Sequence, residues 1–127
     1  MGMVHDMGMV RTRVLVAHED EHRAYREAIA AGIGLLRPRA EIATCSPADL
    51  RAELGRFDPR VVVCGAPGYP DPGDVLAWVD LPEEPWRPAR IRVGDGRREC
   101  VNLDLEGLLG VVDEAEEFLR AQAGRAV

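Results

Sequence analysis

The sequence predicts an α/β domain: an open, three-layer, mostly parallel sheet that ends in a hairpin. Three observations lead there. Short apolar runs without alternation stand at 14–17 and 61–64, as in strands buried on both faces. Between and after them lie stretches with the three- and four-residue spacing of amphipathic helices. Late in the chain, too few residues separate Val93 from Cys100 for a parallel crossover, so the last two strands form an antiparallel hairpin. Strands alternating with helices imply right-handed crossovers, with the first strand between the second and third.

Each element has its own signal. Arg13-Val14-Leu15-Val16-Ala17 is the first strand, running straight into His18-Glu19-Asp20-Glu21-His22. Tyr25, Ile29, Ile33 and Leu36 share one face of the following helix, with Asp20 as its cap and Pro38 ending it. Glu41–Cys45 is a second strand. Ser46-Pro47-Ala48-Asp49 starts a helix with apolar side Leu50, Leu54 and Phe57. Val61–Cys64 is the third strand, and 65–73 is a loop by its prolines and glycines. Asp74 is expected to cap a short helix through Val75, Leu76 and Val79, and Pro82, Pro85 and Pro88 make a stiff connector. Arg90–Val93 alternates, with Arg92 on the wet face; Gly94-Asp95-Gly96 turns, and Cys100–Leu103 is the last strand. Asp104 caps a final helix that buries Leu105, Leu108, Leu109, Val112, Ala115 and Leu119. Residues 11–123 form a single domain, flanked by tails at 1–10 and 124–127.

Composition narrows the function classes. The chain has 127 residues, 46% apolar and 30% charged, as expected of one soluble globular domain. Net charge is −6, which argues against nucleic-acid or anionic-membrane binding. No apolar run approaches the ~20 residues of a membrane span, and 1–10 lacks the basic start and apolar segment of a secretory signal. Three widely spaced cysteines do not make a disulfide framework, so a reducing cytoplasm is expected. Every basic residue is Arg; without Lys, neither a Schiff base nor lysine-dependent phosphate chemistry is open to the chain.

Candidate sites follow from residue type and position. Ligand sites in open α/β sheets lie at strand carboxyl ends, which selects His18–His22 and Gly65. His18, Glu19 and His22 are weak metal candidates; a solvated strand–helix junction accounts for them better, and no cofactor is expected. A Met/His arm (Met1, Met3, His5, Met7, Met9) is less favoured than an over-extended start at which Met9 is a natural first residue. Cys45 and Cys64 are expected ~10 Å apart, two strand spacings, too far for a disulfide. Gly65-Ala66-Pro67-Gly68 lacks the spacing of a phosphate loop. Arg90, Arg92, Arg97 and Arg98 form a local basic cluster best read as solvated hairpin faces. Trp78 is expected in the core and Trp86 at the surface.

With the units placed, the sequence resembles the receiver domain of bacterial response regulators, a flavodoxin-like fold. Arg13–Glu19 looks like that family's first strand and acidic pair, Phe57–Pro67 its third strand and following loop, and Leu103–Leu109 the start of its last helix. The resemblance covers about residues 11–123. It implies a pocket formed by His18, Glu19, Asp20, Gly65 and Val101, but with its chemistry missing. His18 and Glu19 stand where receivers hold magnesium, Gly65 stands at the phosphorylated aspartate, and the lysine position falls near Val101. The fourth helix is replaced by the tight connection 94–99. Phosphoryl transfer needs acceptor, cation and metal together. The resemblance therefore implies a non-phosphorylatable regulatory or protein-interaction domain without catalysis. The rival reading is a small-ligand or divalent-metal-binding protein, or an enzyme, using the carboxyl ends of the first and third strands. A homodimer is expected, with Trp86, Ile91, Val93, Val101 and Leu103 at its interface.

Overall fold

A computed structural model describes residues 11–66 and 68–125. The expected N-terminal tail and its Met/His arm, Pro67, and residues 126–127 of the expected C-terminal tail lie outside the described residues. Six strands form one sheet: β1 (Arg13–Ala17), β2 (Glu41–Cys45), β3 (Val61–Cys64), β4 (Ala77–Asp80), β5 (Ala89–Val93) and β6 (Gly96–Cys100). Three helices pack on it: α1 (Arg23–Leu36), preceded by a single 3₁₀ turn at Asp20–His22, α2 (Pro47–Phe57) and α3 (Leu105–Arg125).

The strand order is β2-β1-β3-β4-β5-β6. β1 through β4 are parallel, with β1 between β2 and β3 as expected, while β4–β5 and β5–β6 are antiparallel. The molecule is therefore α/β with a mixed sheet. α1 and α3 cover one face. There Ile29, Ile33, Leu108, Leu109, Val111, Val112 and Ala115 meet Val14, Val16, Val61, Val63, Ala77, Val79, Ile91 and Val93. On the other face α2 and the 65–76 loop cover Leu15, Ala17, Val62, Cys64 and Trp78. Burying each such Val or Leu contributes roughly 1.5–3 kcal/mol, so both sides of β1 are committed to core.

Several expectations are corrected. Residues 74–79 are not a helix: Ala77-Trp78-Val79 is the centre of β4. Trp and Val suit a pleated surface, and Trp78 packs on Leu15 and Val62 in the core while stacking on Tyr69 with ring centroids 6.1 Å apart. The last strand is not Cys100–Leu103. A two-residue turn at Gly94-Asp95 fixes the register Val93↔Gly96, so β6 begins at Gly96 and Val101-Asn102 is already a turn. The α1 inner face is Arg26, Ile29 and Ile33; Tyr25 and Leu36 are exposed. Asp20 does not cap α1 but accepts a hydrogen bond from Arg26, whereas Asp104 does cap α3, accepting from the Gly107 amide at 2.9 Å. α3 runs on through Gly124 and Arg125, so the helix covers half of the stretch expected to be a tail.

Arg92 is the main reversal. Expected on the wet face, it is only 7% exposed. Its guanidinium donates to both Asp71 oxygens, at 2.5 and 3.0 Å, and to the carbonyls of Val75 (2.7 Å) and Gly94 (3.0 Å). Arg92 thereby pins the loop that covers the sheet where no helix does. Burial raises the pKa of Asp71, but hydrogen bonds from Arg92 and the Gly73 amide, with the Arg92 and Arg97 charges, outweigh it and hold the carboxyl below its usual value. A lowered pKa stabilises the fold above the unfolded-state value, and that contribution is lost as pH falls through the folded one. Arg92→Met, which strands the carboxylate, is expected to cost about 2 kcal/mol in urea melts, below the ~3–5 kcal/mol of a fully buried pair. The gap to the parent protein should narrow below about pH 4, where carboxyls titrate. An unchanged midpoint at neutral pH would show the pair to be dispensable.

Candidate functional site: the cleft at the strand carboxyl ends

β1 delivers His18 to the carboxyl edge of the sheet, and β3 delivers Gly65 beside it. Both ends are tied down: the His18 amide donates to Cys45 O (3.2 Å) and the Gly65 amide to Ala17 O (2.8 Å). The buried Arg26 holds the start of α1 against this edge. One of its terminal nitrogens donates to His18 O (2.8 Å), Cys45 O (3.0 Å) and an Asp20 carboxylate oxygen (3.2 Å). The junction therefore fixes the His18 backbone beside the end of β3.

The His18 ring lies over Gly65. A Cβ on residue 65 would sit 2.5 Å from the His18 Nε2, closer than any real contact. Here glycine is required by a close approach rather than by backbone strain. His18 Nδ1 accepts the Glu19 amide at 2.9 Å, so the neutral ring carries its proton on Nε2. Burial lowers the His18 pKa, and the His22 and Arg26 charges lower it further, against a small opposing effect of Glu21. The ring is neutral at physiological pH. It touches two more rings, with His22 at 4.9 Å between centroids and Tyr25 edge-on at 5.6 Å.

A cavity of about 570 Å³ opens from this corner. The 81–89 connector walls it with Leu81, Pro82, Glu83, Pro85, Arg87 and Ala89, and the turn after β6 with Asn102 and Leu103. Acids crowd the rim: the Glu19 pKa is raised by a hydrogen bond shared with Glu21, by burial, and by the charges of Glu21 and Glu83.

Of the residues singled out by sequence, His18, Glu19, His22 and Gly65 meet here. Asp20 turns to Arg26 instead, and Val101 does not line the cleft. β6 returns to the carboxyl end, and the residue it delivers is Asn102, held in the left-handed region at φ 58°. Tyr25, Arg87 and Asn102 are lining residues that sequence reasoning missed. Only the two-residue hairpin turn, which sets where β6 ends, carried a signal for Asn102.

As metal ligands the histidines fare poorly. With Nδ1 accepting an amide, His18 offers no lone pair at Nε2, and no group of three or more potential ligands stands together among the described residues. Cys45 and Cys64 flank Ala17 on opposite neighbouring strands. Burial pushes the Cys45 thiol up to about 11 and raises that of Cys64 too, so both behave as small apolar groups. Trp86 (72% exposed) and Val101 (58%) stand at the surface, but Ile91 and Val93 are buried beneath α3 and so are not free for an interface, while Leu103 is partly buried against the same core and also lines the cleft. No helix among the described residues is long and apolar enough to cross a membrane.

Compared with protein-family models, curated proteins and solved structures, the chain has no match.

Gly65→Ala is expected to cost about 1–3 kcal/mol, the range of an overpacked site, because the new methyl must push the His18 ring aside. Adding His18→Ala should return most of that loss, while His18→Ala alone should cost little. Denaturant melts of the four proteins measure the coupling; additive costs would mean that ring and glycine do not constrain each other.

Proposed function

We propose that the chain is a non-phosphorylatable, receiver-like regulatory or protein-interaction domain of the cytoplasm that assembles as a homodimer. One observation carries the reading: the place where a phosphoryl acceptor would need a side chain is filled by the neutral His18 ring, packed on Gly65. No carboxylate fits there, and the chain has no lysine to neutralise a phosphoryl group. The flavodoxin-like description rests on the parallel order β2-β1-β3-β4; β5 and β6 depart from it. Cysteines free of disulfides suit a reducing compartment.

A second reading is favoured by the cavity itself. Its volume of about 570 Å³ falls in the range of small-molecule sites, and it lies at the strand ends where α/β sheets bind ligands. Incubation with acetyl phosphate and magnesium, followed by intact-mass measurement and thermal melts, tests both readings. The first expects no gain of mass and no stabilisation. A stoichiometric, hydroxylamine-labile phosphoryl group would sink it. A rise in melting temperature with magnesium or a nucleotide, abolished by His18→Ala, would shift the assignment to the second.

A further inference from the structure

The sheet has two edges, and they differ. β2 has α1 and α2 packed beside it. β6 is an exposed edge whose Gly96, Arg97, Arg98 and Glu99 all face water. Val93↔Gly96 closes the two-residue turn, so residues 96, 98 and 100 turn their peptide groups to β5. The Gly94 amide, pointing the other way to Leu76 O at 2.8 Å, agrees with that phase. The N–H and C=O groups of Arg97 and Glu99 therefore face the free edge, where they lack a protein partner among the described residues.

The side chains alternate with the same period. Arg98 reaches back under the sheet to Glu114 of α3, at 2.6 and 3.2 Å. Arg97 and Glu99 stand on the opposite face, with Arg92 and Arg90 across the ladder. Arg97 makes no ion pair among the described residues, and Glu99 has only a 4.0 Å approach from Arg90.

We propose that β6 is the homodimer contact: two copies pair edge to edge, antiparallel, about a two-fold axis at Arg98, so that Arg97 of each copy stands opposite Glu99 of the other. This rests on the homodimer of the reading above and adds its surface and register. Antiparallel self-pairing about residue 98 brings together the residues whose peptide groups are unpaired, giving four backbone hydrogen bonds in two closed pairs. The same register makes two opposite-charge cross-strand pairs on one face. At the axis Arg98 meets Arg98, but each is already neutralised by its own Glu114. Charges that would keep a foreign strand off this edge are thus complementary to a second copy of the same edge. The β2 edge has no such code: pairing it about Ala43 sets Ile42 against Thr44 and Glu41 against Cys45.

Charge reversal tests the register, with sedimentation or light scattering over a concentration series as the readout. The parent protein should associate to twice the 13.9 kDa chain mass. Arg97→Glu alone and Glu99→Arg alone should each weaken the dimer by about tenfold or more, since each places two like-charge pairs across the axis. The double variant Arg97→Glu/Glu99→Arg should recover the dimer, and mixing the two single variants should give a heterodimer. Both positions are exposed, so thermal melts at a concentration where the parent is monomeric should match for all variants. A parent that stays monomeric at its highest soluble concentration overturns both the homodimer and this contact. A dimer indifferent to the single reversals, or one that the double reversal fails to restore, overturns the register and leaves the homodimer standing.

Discussion

The rest of the molecule depends on the double commitment of β1. Its peptide groups bond to β2 on one side and β3 on the other. Its side chains enter two separate cores, Val14 and Val16 below α1 and α3, Leu15 and Ala17 below α2. A strand held on four sides has no register freedom, since a one-residue slip would exchange the two cores. Whatever follows Ala17 is therefore fixed at the carboxyl edge, and Arg26 bonding to the carbonyls of His18 and Cys45 makes that edge stiff. One wall of the cleft inherits its shape from this stiffness, while the 81–89 connector and the turn after β6 supply the others.

Strands β1 to β3 and all three helices were legible in the sequence because their apolar runs and helical periods are set by burial, which every residue reports independently. What was not legible depended on pairs of residues far apart. Arg92 reads as a wet-face residue until Asp71, contributed by a loop 21 positions away, is brought over it. Ala77-Trp78-Val79 follows a capping aspartate and so mimics a helix start, but its neighbours in the ladder decide for a strand. At the site, His18 and Gly65 were placed correctly on their strand ends, yet that one ring excludes a side chain on the other residue is a matter of ångströms. Val101 and Asn102 differ by a single step of register, and only the hairpin turn settles which of them reaches the cleft.

The two faces of the sheet solve the same covering problem differently. On one, α1 and α3 supply continuous apolar surface, and the C-terminal end of α1 is clamped to the middle of α3 by the Arg37–Asp113 pair at 2.7 and 2.8 Å. On the other, beyond α2, the cover is a proline- and glycine-rich loop with little apolar surface to offer. A loop of this kind holds its place through directional bonds, and Arg92, with four acceptors in reach, provides them. The polar anchor under the loop and the absence of a helix over β4 to β6 are one design decision seen from two sides.

The outward progression of the sheet from β1 to β6 carries a consequence for how the fold breathes. β1 and β3 are bonded on both edges and buried on both faces, whereas β6 has one bonded edge, no fully buried residue, and is held by the Arg98–Glu114 ion pair and by Cys100 packing against the core. Local opening follows this order of burial. On that order the amides of β6 are expected to exchange first, those of β5 later, and those of β1 last. β6, rather than the whole hairpin, is thus the loosely held strand, because β5 is anchored in the core, and whatever occupies the free edge of β6 bears on how often that strand lifts.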